Sequence, residues 1–364
     1  MKASDLLDFF STNSLSWEQL EYGGVGLLNL HYGLIHNGLP TQIDINDSTL
    51  PAIKAGNEPR KFTLCKEGDI AFADASEDTN DVGKVVEFVD CAGKNVVCGL
   101  HTIHGRDKLD KTVPGFKGYV FSSKAFHDQI KRIAQGTKVF SISAGCFDEV
   151  SIGIPDKEEQ KKIAALLSLI DQRISIQSKV IEKYESLIKA LAHEIIGKNA
   201  PNTMLSECVC CTSSTLKESD LSDAGAVPAY GAAGISGFID SALSDGDSIL
   251  ITKDGSGVGS LRYVVGHHSF VGTLNSMTPK EGVYLPYIYY ALQNVCFESY
   301  RTGQAIPHIY FKDYGKEALY CPSFDDQKRL AKGLEMIDAK IGIERAAIQN
   351  LQLVKAYLLS AMFI

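Results

Sequence analysis

The stretch Pro155-Asp-Lys-Glu-Glu-Gln-Lys-Lys-Ile-Ala-Ala-Leu-Leu-Ser-Leu-Ile-Asp171 returns later as Pro322-Ser-Phe-Asp-Asp-Gln-Lys-Arg-Leu-Ala-Lys-Gly-Leu-Glu-Met-Ile-Asp338. Subtracting 155 from 322 gives an offset of 167, which also carries Gln160 to Gln327, Ala164 to Ala331, Leu167 to Leu334, Ile174 to Ile341 and Leu191 to Leu358. An offset held without gaps over a helix-length stretch marks an internal duplication, and a repeat decides how the rest of a chain is divided.

Each copy opens like a helix. Asp156 and Ser323 suit the N-cap, and Glu159 and Asp326, three residues on, face the positive helix end. In the first copy Ile163, Leu167, Ile170, Ile174, Gln177, Ile181, Tyr184, Ile188, Leu191 and Ile195 follow at alternating spacings of four and three. That is a heptad seam with one polar layer, Gln177. The second copy gives Leu330, Leu334, Ile337, Ile341, Glu344, Ile348, Leu351, Val354 and Leu358, so its polar layer, Glu344, falls at the same offset. Burial of such a stripe against the helix's own domain is the ordinary outcome. A periodic run of about 40 residues exceeds the usual globular helix of about 8 to 20 and spans roughly 60 Å. The two helices are expected to pair.

With 364 residues, 45% hydrophobic and 22% charged, the chain is globular and long enough for two domains and connectors. No apolar run reaches membrane-spanning length, and the acids in Met1-Lys-Ala-Ser-Asp-Leu-Leu-Asp-Phe-Phe10 interrupt any secretory core, so a cytoplasmic location is expected. Nine cysteines, an odd number, fit reduced thiols better than a disulfide framework. Cys208-Val-Cys-Cys211 has one C-x-x-C, no second pair and no histidine nearby, so no metal is expected there. A net charge of −8 argues mildly against coating nucleic acid by bulk electrostatics, but not against contact through small loops.

In chain order the division is a first domain at 1–154, a central helix and spacer at 155–199, a second domain at 200–321 and a C-terminal helix at 322–364. The first domain opens with an expected short helix at 5–10, a turn capped by Ser16 and a packing anchor at Trp17. Strands are expected at 69–73, 85–89 and 96–99, then a helix over 118–133 and a loop at 136–143. Gly197-Lys-Asn-Ala-Pro201 stops the first long helix. The second domain repeats the plan, with a lead-in at 204–208, strands at 247–252 and 261–265 and a helix around 286–292. Its loop from Gly303 to Tyr310 lies 167 residues after Gly136, whereas Gly68 and Gly246, each ahead of a strand, differ by 178, so insertions separate the halves.

Asp254-Gly-Ser-Gly-Val-Gly259 has the spacing G-x-G-x-G, and a strand rather than a helix follows, so a turn is favoured over a phosphate cradle. Neither a Walker-type loop, an amino-methyltransferase motif nor an assembled Ser/His/Asp set is found, and the acids after Pro155 are explained by capping rather than by a nuclease. No catalytic residue is assigned. The equivalent loops after Gly136 and Gly303 carry hydrogen-bonding side chains, and polar loop residues are either simply solvated or contact a ligand. The candidates for DNA contact are Arg60, Lys61, Thr137, Lys138, Ser141, Tyr230, Lys253, Ser256, Arg301, Gln304 and His308. Those for helix pairing or partner docking are Ile163, Leu167, Ile170, Ile174, Gln177, Ile181, Leu330, Leu334, Ile337, Ile341, Glu344 and Ile348.

These residues together resemble the specificity subunit of Type I restriction-modification systems over nearly the whole chain. The Pro-x-x-x-Glu-Gln-x-x-Ile-Ala pattern, here Pro155, Glu159, Gln160, Ile163, Ala164, Leu167, Ile170 and Asp171, is similar to that family's repeated conserved region. The second copy departs at Asp326 and Leu330. Val227 to Ser236 and Gly246 to Gly259 are similar to its target recognition domains. The resemblance implies an internally duplicated α+β fold, with two mixed α/β target recognition domains separated by two long antiparallel, coiled-coil-like helices. It implies double-stranded DNA with a bipartite target, two modification (methyltransferase) subunits and restriction/translocase subunits as partners, and no membrane. No cofactor is expected in this chain, S-adenosylmethionine being held by the modification subunit. A duplicated scaffold for non-DNA ligands, or a remnant of a fused methyltransferase specificity module, are the alternatives.

Overall fold

The computed structural model describes residues 1–46, 49–91, 93–303 and 306–363. The chain forms two compact units, Met1–Gln177 with Ala347–Ile364, and Ser178–Ala346. Each contains one of the two expected target recognition domains, termed readers for that expectation, and a length of both long helices, Lys157–Ala192 and Phe324–Met362.

The duplication is visible in the sheets. In the first reader the strands run in the order Leu7–Phe10, Thr102–Asp107, Ile70–Ala73, Val85–Asp90, with Gln42–Asp44 added at the edge. The second reader has Val209–Ser213, Leu274–Pro279, Ser248–Thr252, Leu261–Val264 in the corresponding places. All pairings among these four strands are antiparallel in both. The offset between equivalent strand starts falls along the chain, from 202 (Leu7, Val209) through 178 (Ile70, Ser248) to 172 (Thr102, Leu274). The largest extra length therefore lies early in the first reader. It builds much of a second, four-stranded sheet of Leu20–Glu21, Ala52–Ile53, Leu28–Leu30 and Val96–Cys98.

Apolar residues of the central strands and following helices close each core. In the first unit Phe72, Phe121, Phe126 and Phe147 pack with Ile163, Ala164 and Leu167 of the first long helix and with Phe363. Three sequence expectations need correction. The helix expected at 5–10 is confined to Ala3–Leu6, because Leu7–Phe10, with two aromatics, pairs with Thr102–Asp107 as a strand. The helix expected over 118–133 is two helices, Phe116–Val120 and Lys124–Ile133, since Ser123 Oγ caps the second by accepting the Phe126 N–H at 3.2 Å. Trp17 follows Ser16 in a short turn and its ring lies 4.4 Å from that of His31, yet it stays 42% exposed.

The first long helix keeps its seam inward. Ile163, Leu167, Gln177, Ile181 and Ile188 are buried and Ile170 and Ile174 half-buried, while the turn His193–Gly197 ends the run before Pro201. In the second helix Leu334 and Ile341 are buried, and Leu330, Ile337, Glu344 and Ile348 half-buried. Val354 departs from the expected seam, being 48% exposed. Lys355 takes the inward place, and its ammonium meets Asp171 Oδ1 at 2.6 Å.

Candidate nucleic-acid interface

The join between helix and reader is built the same way twice. Gln160 and Gln327 are buried. Gln160 Oε1 accepts the Val113 N–H at 2.9 Å, and its Nε2 donates to the carbonyls of Lys111 (2.9 Å) and Pro155 (2.8 Å). Gln327 does likewise, accepting from Tyr284 N–H at 2.8 Å and donating to Gly282 (3.3 Å) and Pro322 (2.8 Å). About three turns further along each helix, Tyr119 donates to Asp171 at 2.9 Å and Tyr290 to Asp338 at 2.8 Å. Burial pushes both phenols up, with the neighbouring carboxylate adding to it. Asp338 is itself raised, by burial first, with the Tyr290 hydrogen bond opposing.

Held on this frame, the two loops singled out by their common offset are closed and pinned in the same way. Gln135 and Ser141 exchange both backbone hydrogen bonds (3.0 and 2.8 Å), as do Thr302 and His308 (2.9 and 2.8 Å). The next residue pins each hairpin to the end of a central strand, with Ile142 N–H donating to Asp74 O at 2.9 Å and Ile309 N–H to Lys253 O at 3.0 Å. Gly136 has φ +140 and Gly303 φ +85, and a Cβ there would stand 1.9 Å from Val139 O and 2.4 Å from Ile306 O. Only glycine permits that closure.

The side chains on the two hairpins differ. On the first, Thr137, Lys138 and Ser141 are exposed, and no ion pair engages Lys138 among the described residues. On the second, His308 Nδ1 lies 2.7 Å from Asp254 Oδ1, while Asp254 Oδ2 takes the Lys253 ammonium. Burial raises the Asp254 carboxyl, but these two partners outweigh it and hold it below the usual carboxylate range. Lys253 is thus largely neutralised by its neighbour. Gly255 N–H donates to Pro307 O at 3.0 Å, which brings the glycine turn, with Ser256 exposed on it, against the hairpin.

Other candidates are dispersed. Arg60 and Lys61 are exposed between Ala52–Ile53 and Ile70–Ala73, with no bond to the first hairpin among the described residues. Arg301 pairs with Glu298 at 2.6 Å. Gln304 lies outside the described residues. Tyr230 faces Arg262, whose guanidinium is 6.0 Å from the ring, on the wall of a cleft of about 580 Å³ that Tyr263, Lys189 and Arg345 also line. Sequence reasoning missed Asp254 and Arg262, and also Lys312, which sits 5.2 Å from the exposed Tyr310 ring. The Leu261–Val264 strand exposes Arg262 on the face opposite the half-buried Leu261 and Tyr263, and strand alternation is the signal that would have found it.

The docking residues divide in a way the seam pattern did not reveal. Those named from the heptads face inward, whereas Leu166, Leu169 (63% exposed) and Ile176 (55%) stand outside on the first helix, and Met336 and Ile343 on the second.

Two pinned hairpins on a duplicated frame are the features against which known proteins can be set. The family model for the Type I restriction modification DNA specificity domain matches residues 92–186 and 209–353, and the chain belongs to that family. A Mycoplasma genitalium protein named as a type I specificity subunit is 25% identical over 308 residues, covering 78% of this chain and 79% of that one. The crystal structure of a Type I restriction-modification S subunit from M. genitalium covers 100% of this chain and 95% of its own, at 21% identity and a TM-score of 0.60. A structure from work on assembly and conformational transition of the type I system covers 99% and 95%, at 15% identity and a TM-score of 0.52. Both structures share the fold.

Proposed function

We propose that this chain is the DNA sequence-specificity subunit of a Type I restriction-modification complex. Each reader recognises one half of a bipartite duplex target, and the chain itself performs no chemistry. Modification subunits, carrying S-adenosylmethionine, dock on the long helices, and restriction/translocase subunits join the assembly. The observation that carries this is the pair of hairpins with the same closing bonds and different side chains: a shared frame with variable contents suits two sites reading different base edges. Methyltransferase docking is assigned to the outer apolar residues Leu166, Leu169 and Ile176, because the seam residues are occupied within the chain. No helix is long and apolar enough to cross a membrane among the described residues.

Methylation mapped over host DNA with and without this chain, the modification partner being present throughout, is the test. The expected result is a motif of two short halves with a fixed gap that disappears with the chain. An unchanged map with an active partner would reject the reading.

A further inference from the structure

Cys65, Cys98 and His104 of the first reader, all buried, bring one ligand atom each to within 4.8 Å of the others. The two sulfurs, both free thiols, lie 3.6 Å apart. A tetrahedral zinc holding two thiolates at about 2.3 Å separates them by about 3.8 Å, so the thiols already stand at ligand spacing. His104 is 1% exposed and its Nε2 is 2.8 Å from Asp69 Oδ2. An ionised carboxylate only accepts, so Nε2 carries the hydrogen and, in the neutral ring, Nδ1 carries a lone pair. Nδ1 is buried with no partner among the described residues. A buried acceptor left this way calls for an explanation, and an unseen ion is one. Asp69 is fixed in turn by two 2.7 Å bonds from Arg106 and one of 2.8 Å from the Lys66 N–H. A carboxylate bonded to one ring nitrogen is how zinc-binding histidines are oriented to ligate through the other.

We propose that Cys65, Cys98 and His104 form a structural site for a zinc-type divalent cation, bound through two thiolates and the imidazole. The ligand set favours zinc over the hard, oxygen-seeking cations. Cys91, whose Sγ lies 3.7 Å from the Cys65 carbonyl, stands outside this cluster and would have to turn toward it to supply a third thiolate. Cys98 belongs to the four-stranded sheet and His104 to the five-stranded one, so the ion fastens the first reader's two sheets to each other. The second reader has Ser276 where the strand register puts the equivalent of His104. The cysteines involved are not those of the Cys208–Cys211 cluster.

The full-length chain, stripped by a chelator and then given Zn²⁺ alone, should take up about one ion per chain. Co²⁺ in its place should produce thiolate-to-cobalt absorption that disappears in Cys65→Ser and Cys98→Ser and persists in Cys210→Ser, an exposed thiol elsewhere. Should the serine variants fail to fold, X-ray absorption of the zinc-loaded wild type reads the ligands directly. Two or three sulfurs with an imidazole support the site. No uptake, a shell without sulfur, four sulfurs, or absorption that follows Cys208→Ser instead would overturn it.

Discussion

Gln160 and Gln327 each satisfy one backbone N–H and two carbonyls where a reader meets its helix. Replacing either by leucine leaves those groups buried and unmet, at a cost of about 2–4 kcal/mol. Hydrogen exchange should accelerate at Val113 in Gln160→Leu and at Tyr284 in Gln327→Leu; a loss under about 0.5 kcal/mol would refute the role. Asp338 gives a pH signature. Its folded pKa lies above the unfolded value of about 3.9, so its contribution is complete below about pH 4 and is lost as pH rises through the folded value. The wild type should gain on Asp338→Asn in urea midpoint as pH falls from 7 toward 4, and parallel profiles would contradict this. On the hairpins, Lys138→Ala should lower the salt slope of duplex binding by about 1, and Lys253→Ala by less because Asp254 already holds its charge. Equal slopes for the two variants would dismiss that distinction. The sequence showed both lysines, and it showed the two glycines at equivalent places. It could not show that Asp254 turns back onto Lys253, since adjacency in a turn leaves side-chain direction open.

At the scale of elements, the long helices were legible because duplication and heptad spacing agree. Their outer faces were not, since a heptad identifies the seam but does not say what the remaining apolar residues meet. Beyond Leu351 the pattern offered Val354, and the helix instead turns Lys355 inward to Asp171, a choice made by a carboxylate 184 residues earlier in sequence. Leu169→Glu or Ile176→Glu should therefore abolish co-purification of the modification subunit while leaving the urea midpoint within about 0.5 kcal/mol of wild type. Leu167→Ala, fully buried, should destabilise by about 2–5 kcal/mol. If the surface variants still bind their partner while folded, the outer face is not the docking site.

For the whole molecule, the shared four-strand order was only partly readable. The decline of the offset from 202 to 167 hides the early strands, whereas the ends of the readers, where the offset is constant, could be matched by eye. The boundary between the units passes through both long helices, after Gln177 and after Ala346. Four residues inserted at both places add about 6 Å of helix, or about two base pairs of duplex. The methylated motif should keep its two halves and widen its gap by that amount; an altered half would contradict the division of labour between readers and helices.

Unit one takes Phe363 and its neighbours into the same core as Ala3, Leu6 and Ile152, whereas unit two is one uninterrupted segment. On the ribosome the middle of the chain can therefore mature first, while the beginning waits with an unfinished core for residues 347–363 to emerge. A nascent chain that stalls short of them leaves Phe116 without its ring partner and Asp171 without Lys355, an exposed apolar face that chaperones and proteases recognise. The earliest-made reader is thus the last to become competent, and only chains translated through both repeats present a finished first half.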